Sequence, residues 1–245
     1  MNILLANPNT TVAVTDRMAA VARAAVSPGT TITAVTATAG VPYIATRSEA
    51  VVGARAVLEL FAEHAGGCDA AIVAAFGDPG IGAARELLGI PVVGMAEAAM
   101  LTACMLGSRF AIVTFSPTLE PWYRECVDYN GLTGRCSGIH CLDEAFANVI
   151  DVAEEKSVRL VNLCAEAVRA GAEVIILGGA PLAGLAADIA DDVTVPLVDG
   201  VAAAARQAET LASLRPRKAT TGSFRKPAAK TMIGVPDNLV RFFGA

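Results

Sequence analysis

Short apolar runs alternate along the chain with longer stretches whose apolar residues recur at helical spacing. The run AAIVAA at 70–75 contains no polar residue, which marks a strand buried on both faces. Gly77-Asp78-Pro79-Gly80 then turns the chain sharply, and a helix is expected to begin near Pro79. About a hundred residues later, EVIILGGAPLAG at 173–184 repeats the grammar: apolar strand, glycine turn at Gly178-Gly179, a proline at Pro181, then a helix.

The repetition extends over most of the chain. NILLANPNTT (2–11) matches RFAIVTFSPT (109–118), each a strand that ends in polar residues with a proline just before a helix. IPVVGMAEAA (90–99) matches VPLVDGVAAA (195–204), while ITAVTAT (32–38) and SGIHCL (137–142) are weaker strands at comparable places. Two similar halves follow, each a four-stranded parallel sheet flanked by helices, with ligands expected at the carboxyl ends of the strands. The expected divisions are a first α/β half at 1–98, a second at 99–212 and a C-terminal strap at 213–245, with the closing helix or the tail free to pack across.

Between these landmarks, Val51, Leu58 and Phe61 form the apolar stripe expected for a helix over about 47–65, with His64 as a cation at its end. Asp143–Ala170 reads as helical with a break near Asp151. The stretch 214–231 lacks any period, and its basic residues Arg217, Lys218, Arg225, Lys226 and Lys230 suit a surface strap bridging to acidic helices. A helical stretch at 118–130 carries Trp122 and Tyr123, read as packing or subunit contact.

Composition agrees with covered sheets, since 54% of the 245 residues are apolar and only 18% charged. A net charge of −5 argues against nucleic acid as a partner. No apolar run is long enough to span a membrane, and the N-terminus enters a strand without signal-peptide features, so a cytoplasmic protein is expected. Six cysteines without a Cys-x-x-Cys pair suit buried free thiols; only His140 beside Cys141 hints at a metal, and none is expected. Dinucleotide, Walker and nucleophile-elbow motifs are absent, which points to chemistry without a cofactor.

The polar groups that chemistry can use lie at the strand ends. Asn7 is a candidate ligand contact, while Asn9 and Thr10 also suit helix capping. Tyr43, Thr46 and Arg47 sit in a polar loop suited to covering a site. Thr114 and Ser116 occupy in the second half the places of Asn7 and Asn9 in the first. With Ala75, Phe76, Gly77, Gly178, Gly179, Ala180 and Pro181 they form the expected substrate-binding set, an anion hole for the carbonyls of a small molecule. Asp78, Tyr43 and Glu97 are the groups placed to move a proton. Asp78 has two readings of equal weight, acid-base group or cap of its own helix, and desolvation and the helix dipole pull its pKa in opposite directions.

The corners FGDPG and LGGAPLAG, the opening NPNTT and the segment VPLVDG together resemble the Asp/Glu/hydantoin racemase superfamily, most closely its hydantoin and allantoin racemase branch, over about residues 2–210. That resemblance implies two pseudo-symmetric halves around a cleft, homo-oligomerisation, and one cysteine from each half to remove or return a proton, in patterns like C-F-G-D-P-G and L-G-C-A-G. Here those positions are Ala75 and Gly179. Two-base racemisation needs a thiolate on one face and a thiol on the other, and none of the six cysteines is expected at a strand end facing the corners. Three readings follow. The first is a cysteine-independent enzyme acting on a small cyclic ureide, imide or carboxylate, with isomerase, hydrolase or lyase chemistry. The others are a racemase inactivated at its cysteine positions and a non-catalytic small-ligand binding protein.

Overall fold

The doubled pattern becomes two matching sheets in the computed structural model, which describes residues 1–143 and 148–244. The first half runs β1 (Asn2–Asn7), α1 (Val12–Ala25), β2 (Thr31–Thr36), α2 (Arg47–His64), β3 (Ala70–Val73), α3 (Ile81–Leu87), β4 (Val92–Gly94) and α4 (Met95–Leu106). The second opens with β5 (Phe110–Thr114), a 3-10 turn at Pro117–Leu119, α5 (Glu120–Tyr129) and β6 (Cys136–Cys141). It continues with α6 (Val152–Glu155), α7 (Ser157–Arg169), β7 (Val174–Gly178), α8 (Leu185–Asp188), β8 (Leu197–Asp199) and α9 (Gly200–Ser213), before α10 (Asp237–Phe243) near the C-terminus.

Both sheets are parallel and share one topology, β2-β1-β3-β4 and β6-β5-β7-β8. Equivalent pairs carry equivalent registers: Ala6 lies beside Val73 in the first sheet, and Val113 beside Leu177 in the second. Parallel pairing sends every central strand into a buried layer, which is why β3, β5 and β7 are buried throughout and apolar apart from Thr114 at the carboxyl end of β5.

The halves are joined by exchanged closing helices. α4 follows β4 yet packs on β7, β8 and α9, and α9 follows β8 yet packs on β3, β4 and α1. One core cluster therefore runs through both halves, from Ile3 and Leu5 to Ile112, Ile176 and Ala204. A second covers the outer face of the first sheet, with Val57, Phe61, Ala71 and Val73. Small side chains let α4 and α9 approach closely, and Gln207 seals the contact by donating to the Ala98 carbonyl and to Thr102 Oγ1, both at 2.9 Å. The division expected at 98/99 falls inside α4.

Several expectations shift locally. The helix after the first corner starts at Ile81, not Pro79, because Asp78 and Gly80 both take positive φ, 50° and 77°, and hold the chain out of helical geometry for one more turn. In α2 the buried face is Ala50, Gly53, Val57, Leu60 and Phe61, while Val51 is 73% exposed. Size misled the pattern there: a Cβ at Gly53 would lie 2.5 Å from Ile44 Cδ1, so the inward face is small because Ile44 fills it. Among the described residues of the 143–170 stretch, helix starts at Val152 and is interrupted at Lys156; residues 144–147 lie outside those described. The strap has no regular structure until α10, whose Leu239 and Phe242 pack against α2 and the second cluster.

The phase of α2 is open to a direct check. Val57→Ala is expected to lower unfolding free energy by about 1–3 kcal/mol in urea titrations, and Val51→Ala to change it by less than about 0.5 kcal/mol. Equal losses at the two positions would refute the assignment.

Candidate functional site

Two glycine corners leave the sheets at the ends of β3 and β7. In the first, Gly77 takes φ 113°, and a Cβ there would fall 2.4 Å from the Trp122 indole. That close approach lets α5 lie flat on the corner. Asp78 follows in the left-handed region, uncommon for a residue with a side chain. Its carboxyl reaches across to α4: Ala96 N–H donates to Oδ1 and Glu97 N–H to Oδ2, each at 2.8 Å. Asp78 therefore caps α4, not the α3 helix expected to follow it. A Cβ at Gly94 would lie 2.3 Å from Asp78 Oδ2, so glycine there makes room for the bond.

The second half reaches the same end from the other side. Asp199, at the position equivalent to Gly94, accepts from Val201 N–H and Ala202 N–H at the start of α9, at 2.8 and 3.0 Å, and from Gly184 N–H at 2.7 Å beyond the second corner. Each half thus ties its corner to its closing helix through one carboxyl.

Burial is the largest influence on Asp78 and pushes its pKa up; the two N–H donors oppose it, the Glu97 charge adds to it and Arg85 counters it, leaving a value of about 7. Glu97 is itself held by a forked pair with Arg85, so it is engaged and not a free acid. Asp78 and Glu97 line a cavity of about 580 Å³ with Val51, Ile81, Trp122 and Cys126 among its other walls. Cys126 lies on α5, not at a strand end, and reaches this cavity from the helix. Burial, followed by the Asp78 and Glu97 charges, raises its pKa, so it stays a thiol.

Ala75, Phe76, Gly179, Ala180 and Pro181 meet in a different cavity, with Tyr43 at its edge and Asn9 in its wall. The corners of the two halves therefore share a space, as the duplication implies, but it holds only about 30 Å³. Aromatic rings fill the rest: Phe76 and Tyr123 have centroids 4.8 Å apart, and Tyr123 and Trp122 5.7 Å. Trp122 lines both cavities and is the partition between them. Gly179 takes φ 127°, and a Cβ on it would sit 2.6 Å from Phe115 Cε1.

The expected site set is thus split. Gly77 falls on the Asp78 side of the partition, and Tyr43, 38% exposed, on the other with Ala75 and Gly179. Four residues expected at the ligand, Asn7, Thr114, Ser116 and Gly178, line neither cavity. Asn7 is fully buried, with its amide spent on Asn9 Oδ1 and Thr15 Oγ1 at 3.1 and 2.9 Å and its own oxygen accepting from Asn9 N–H. Thr114 is fully buried, donates to the Gly178 carbonyl at 2.7 Å and meets the Tyr123 hydroxyl. Ser116 caps the turn at Pro117–Leu119. Gly178 lies behind the wall, where a Cβ would meet Ile112 at 2.7 Å. Sequence reading missed Trp122, Tyr123 and Cys126, because only the fold of α5 across the corner brings them in. Among the described residues no three His, Cys, Asp or Glu side chains cluster as metal ligands do, and no helix is long and apolar enough to cross a membrane.

Duplicated parallel lobes whose strand-end corners meet at a common space define a pseudo-symmetric α/β enzyme class. The chain belongs to the Asp/Glu/hydantoin racemase family, whose model matches residues 3–208, and it is accordingly a racemase-family enzyme of isomerase type. A hydantoin racemase from Paenarthrobacter aurescens is 35% identical over 236 residues, covering 94% of this chain and 99% of its own. One from Pseudomonas sp. strain NS671 is 32% identical over 246 residues, covering 98% of each. The solved allantoin racemase from Klebsiella pneumoniae matches with a TM-score of 0.92 at 35% identity, again over 98% of each chain.

A carboxyl whose pKa rises on folding binds protons more readily in the native state, so stability falls as pH climbs from about 4 through about 7. Asp78→Asn is expected to remove that slope of up to about 1.4 kcal/mol per pH unit, with a pH-independent loss from the N–H left without an acceptor. Urea midpoints between pH 5 and pH 8 measure both; an unchanged slope would refute the raised pKa.

Proposed function

We propose that this chain is a cofactor-independent racemase-family enzyme acting on a small cyclic ureide, imide or carboxylate without a cysteine thiolate, with Asp78 carrying the proton. One observation carries the reading: a buried carboxyl with a pKa of about 7 in the wall of a 580 Å³ cavity. Such a group exchanges between acid and base at neutral pH, and cavities of that size suit small ligands. The opposite space, at about 30 Å³, holds no such molecule unless the rings move.

The chemistry that follows is proton removal next to a substrate carbonyl. Ionised Asp78 takes the proton, the electron pair moves into the carbonyl as an enolate, and protonated Asp78 returns it. The neutral Cys126 thiol lies in the same cavity as a donor to the substrate oxygen, and the Asn130 amide, which donates to the Cys126 carbonyl at 2.8 Å, holds that end of α5. The likeness to hydantoin and allantoin racemases supports the substrate class. A racemase that has merely lost its thiols is disfavoured by Gly179, where positive φ strains any side chain and the Phe115 ring would have to shift to admit one.

Incubating a panel of hydantoins, allantoin and small carboxylates in heavy water, with NMR detection of exchange at the acidic carbon and identification of products, tests the proposal. Exchange is expected to rise with pH through about 7 and to drop about 100-fold or more in Asp78→Asn. The double variant Ala75→Cys, Gly179→Cys is expected to gain no racemisation. Wild-type exchange in Asp78→Asn, or brisk racemisation by the double variant, would sink the reading.

A further inference from the structure

Nothing in the catalytic reading uses the C-terminal strap, although it crosses the first half at Arg85. Lys218 Nζ donates to the Arg85 carbonyl, and the Phe224 ring lies over the Arg85 guanidinium, 5.9 Å from Cζ to the ring centroid. Arg85 is the hub beneath. Its Nε donates to the Val92 carbonyl at 3.1 Å, and its two terminal nitrogens fork onto Glu97, Nη1 reaching Oε1 at 3.2 Å. Glu97 then supplies one of the two N–H groups that hold Asp78. We infer that the strap is a positioning element for Asp78, acting through Arg85 and Glu97 to fix the charge beside the carboxyl.

The neighbours of Asp78 make that route effective. α2 contributes only Ala50, Val51 and Ala54 to the shared cavity, and α5 contributes Trp122, Glu125, Cys126 and Tyr129; Cys126 and the nearby Tyr123 are held neutral by burial, and the Glu125 carboxylate is paired with Arg47. The net charge acting on Asp78 is therefore set by Glu97 from α4 and Arg85 from α3. Glu97 is 21% exposed and Arg85 22%, so their pairing is only partly screened by water. Loosening the guanidinium leaves Glu97 to repel an ionised Asp78. A space of about 310 Å³ under the strap, lined by Leu88, Leu211, Pro216 and Phe224, leaves Lys218 and Phe224 as its grip at this point.

The inference bears on turnover only if Asp78 carries the proton, so its test reads Asp78 directly. The carboxyl carbon of Asp78, assigned with Asp78→Asn, is titrated by NMR in full-length protein labelled with carbon-13 aspartate. Lys218→Ala with Phe224→Ala is expected to raise the midpoint by about half a pH unit, and Arg85→Gln, which keeps a donor but removes the charge, by about one. Circular dichroism confirms the fold, and the strap variant alters partly exposed side chains should Arg85→Gln fail to fold. A midpoint in the strap variant equal to wild type overturns the inference. A shifted midpoint with an unshifted pH–rate profile upholds it and rejects Asp78 as the proton carrier.

Discussion

The arrangement hangs on a carboxyl that leaves one element to close another. A helix placed across a lobe boundary begins with unpaired N–H groups in the interior, where water cannot satisfy them. Asp78 meets that demand for α4 from the corner, and Asp199 meets it for α9 from the strand end. The two solutions are interchangeable in geometry but not in consequence. Asp199 stands where its side chain can serve its own helix, whereas Asp78 must take a left-handed backbone and displace any side chain from Gly94. The half that solves the problem with greater strain is also the half that presents a titratable group to a roomy cavity.

The proposed chemistry rests on that asymmetry of a duplicated scaffold. Where two lobes offer equivalent groups, a substrate between them sees the same donor on either face. Here the space between the corners is packed with aromatic rings, and Trp122 closes it off from Asp78. The titratable carboxyl and the roomy cavity lie on one side of the partition, and the second corner presents no side chain at Gly179 on the other.

The doubled strand-turn-helix grammar was legible because glycine and proline punctuate equivalent points, and so were the parallel order and both corners. The direction of the Asp78 side chain was not, since a residue that caps a helix sixteen or more positions later leaves no local trace. Trp122 and Tyr123 read as ordinary packing because their place against the corner depends on Gly77 lacking a side chain. Asn7 and Thr114 stood at the right strand ends but turned inward to satisfy the backbone and hydroxyls around them. On α2 Phe61 is buried as its spacing predicts, while Val51 points outward because the inward positions of that first turn are taken by the small Ala50 and Gly53.

The exchanged helices also constrain synthesis. α9 covers β3 and β4, yet it is the last element before the strap. On the ribosome the N-terminal sheet is complete long before its cover emerges, so its apolar face stays bare through translation of roughly a hundred residues, a period when chaperones guard against misassociation.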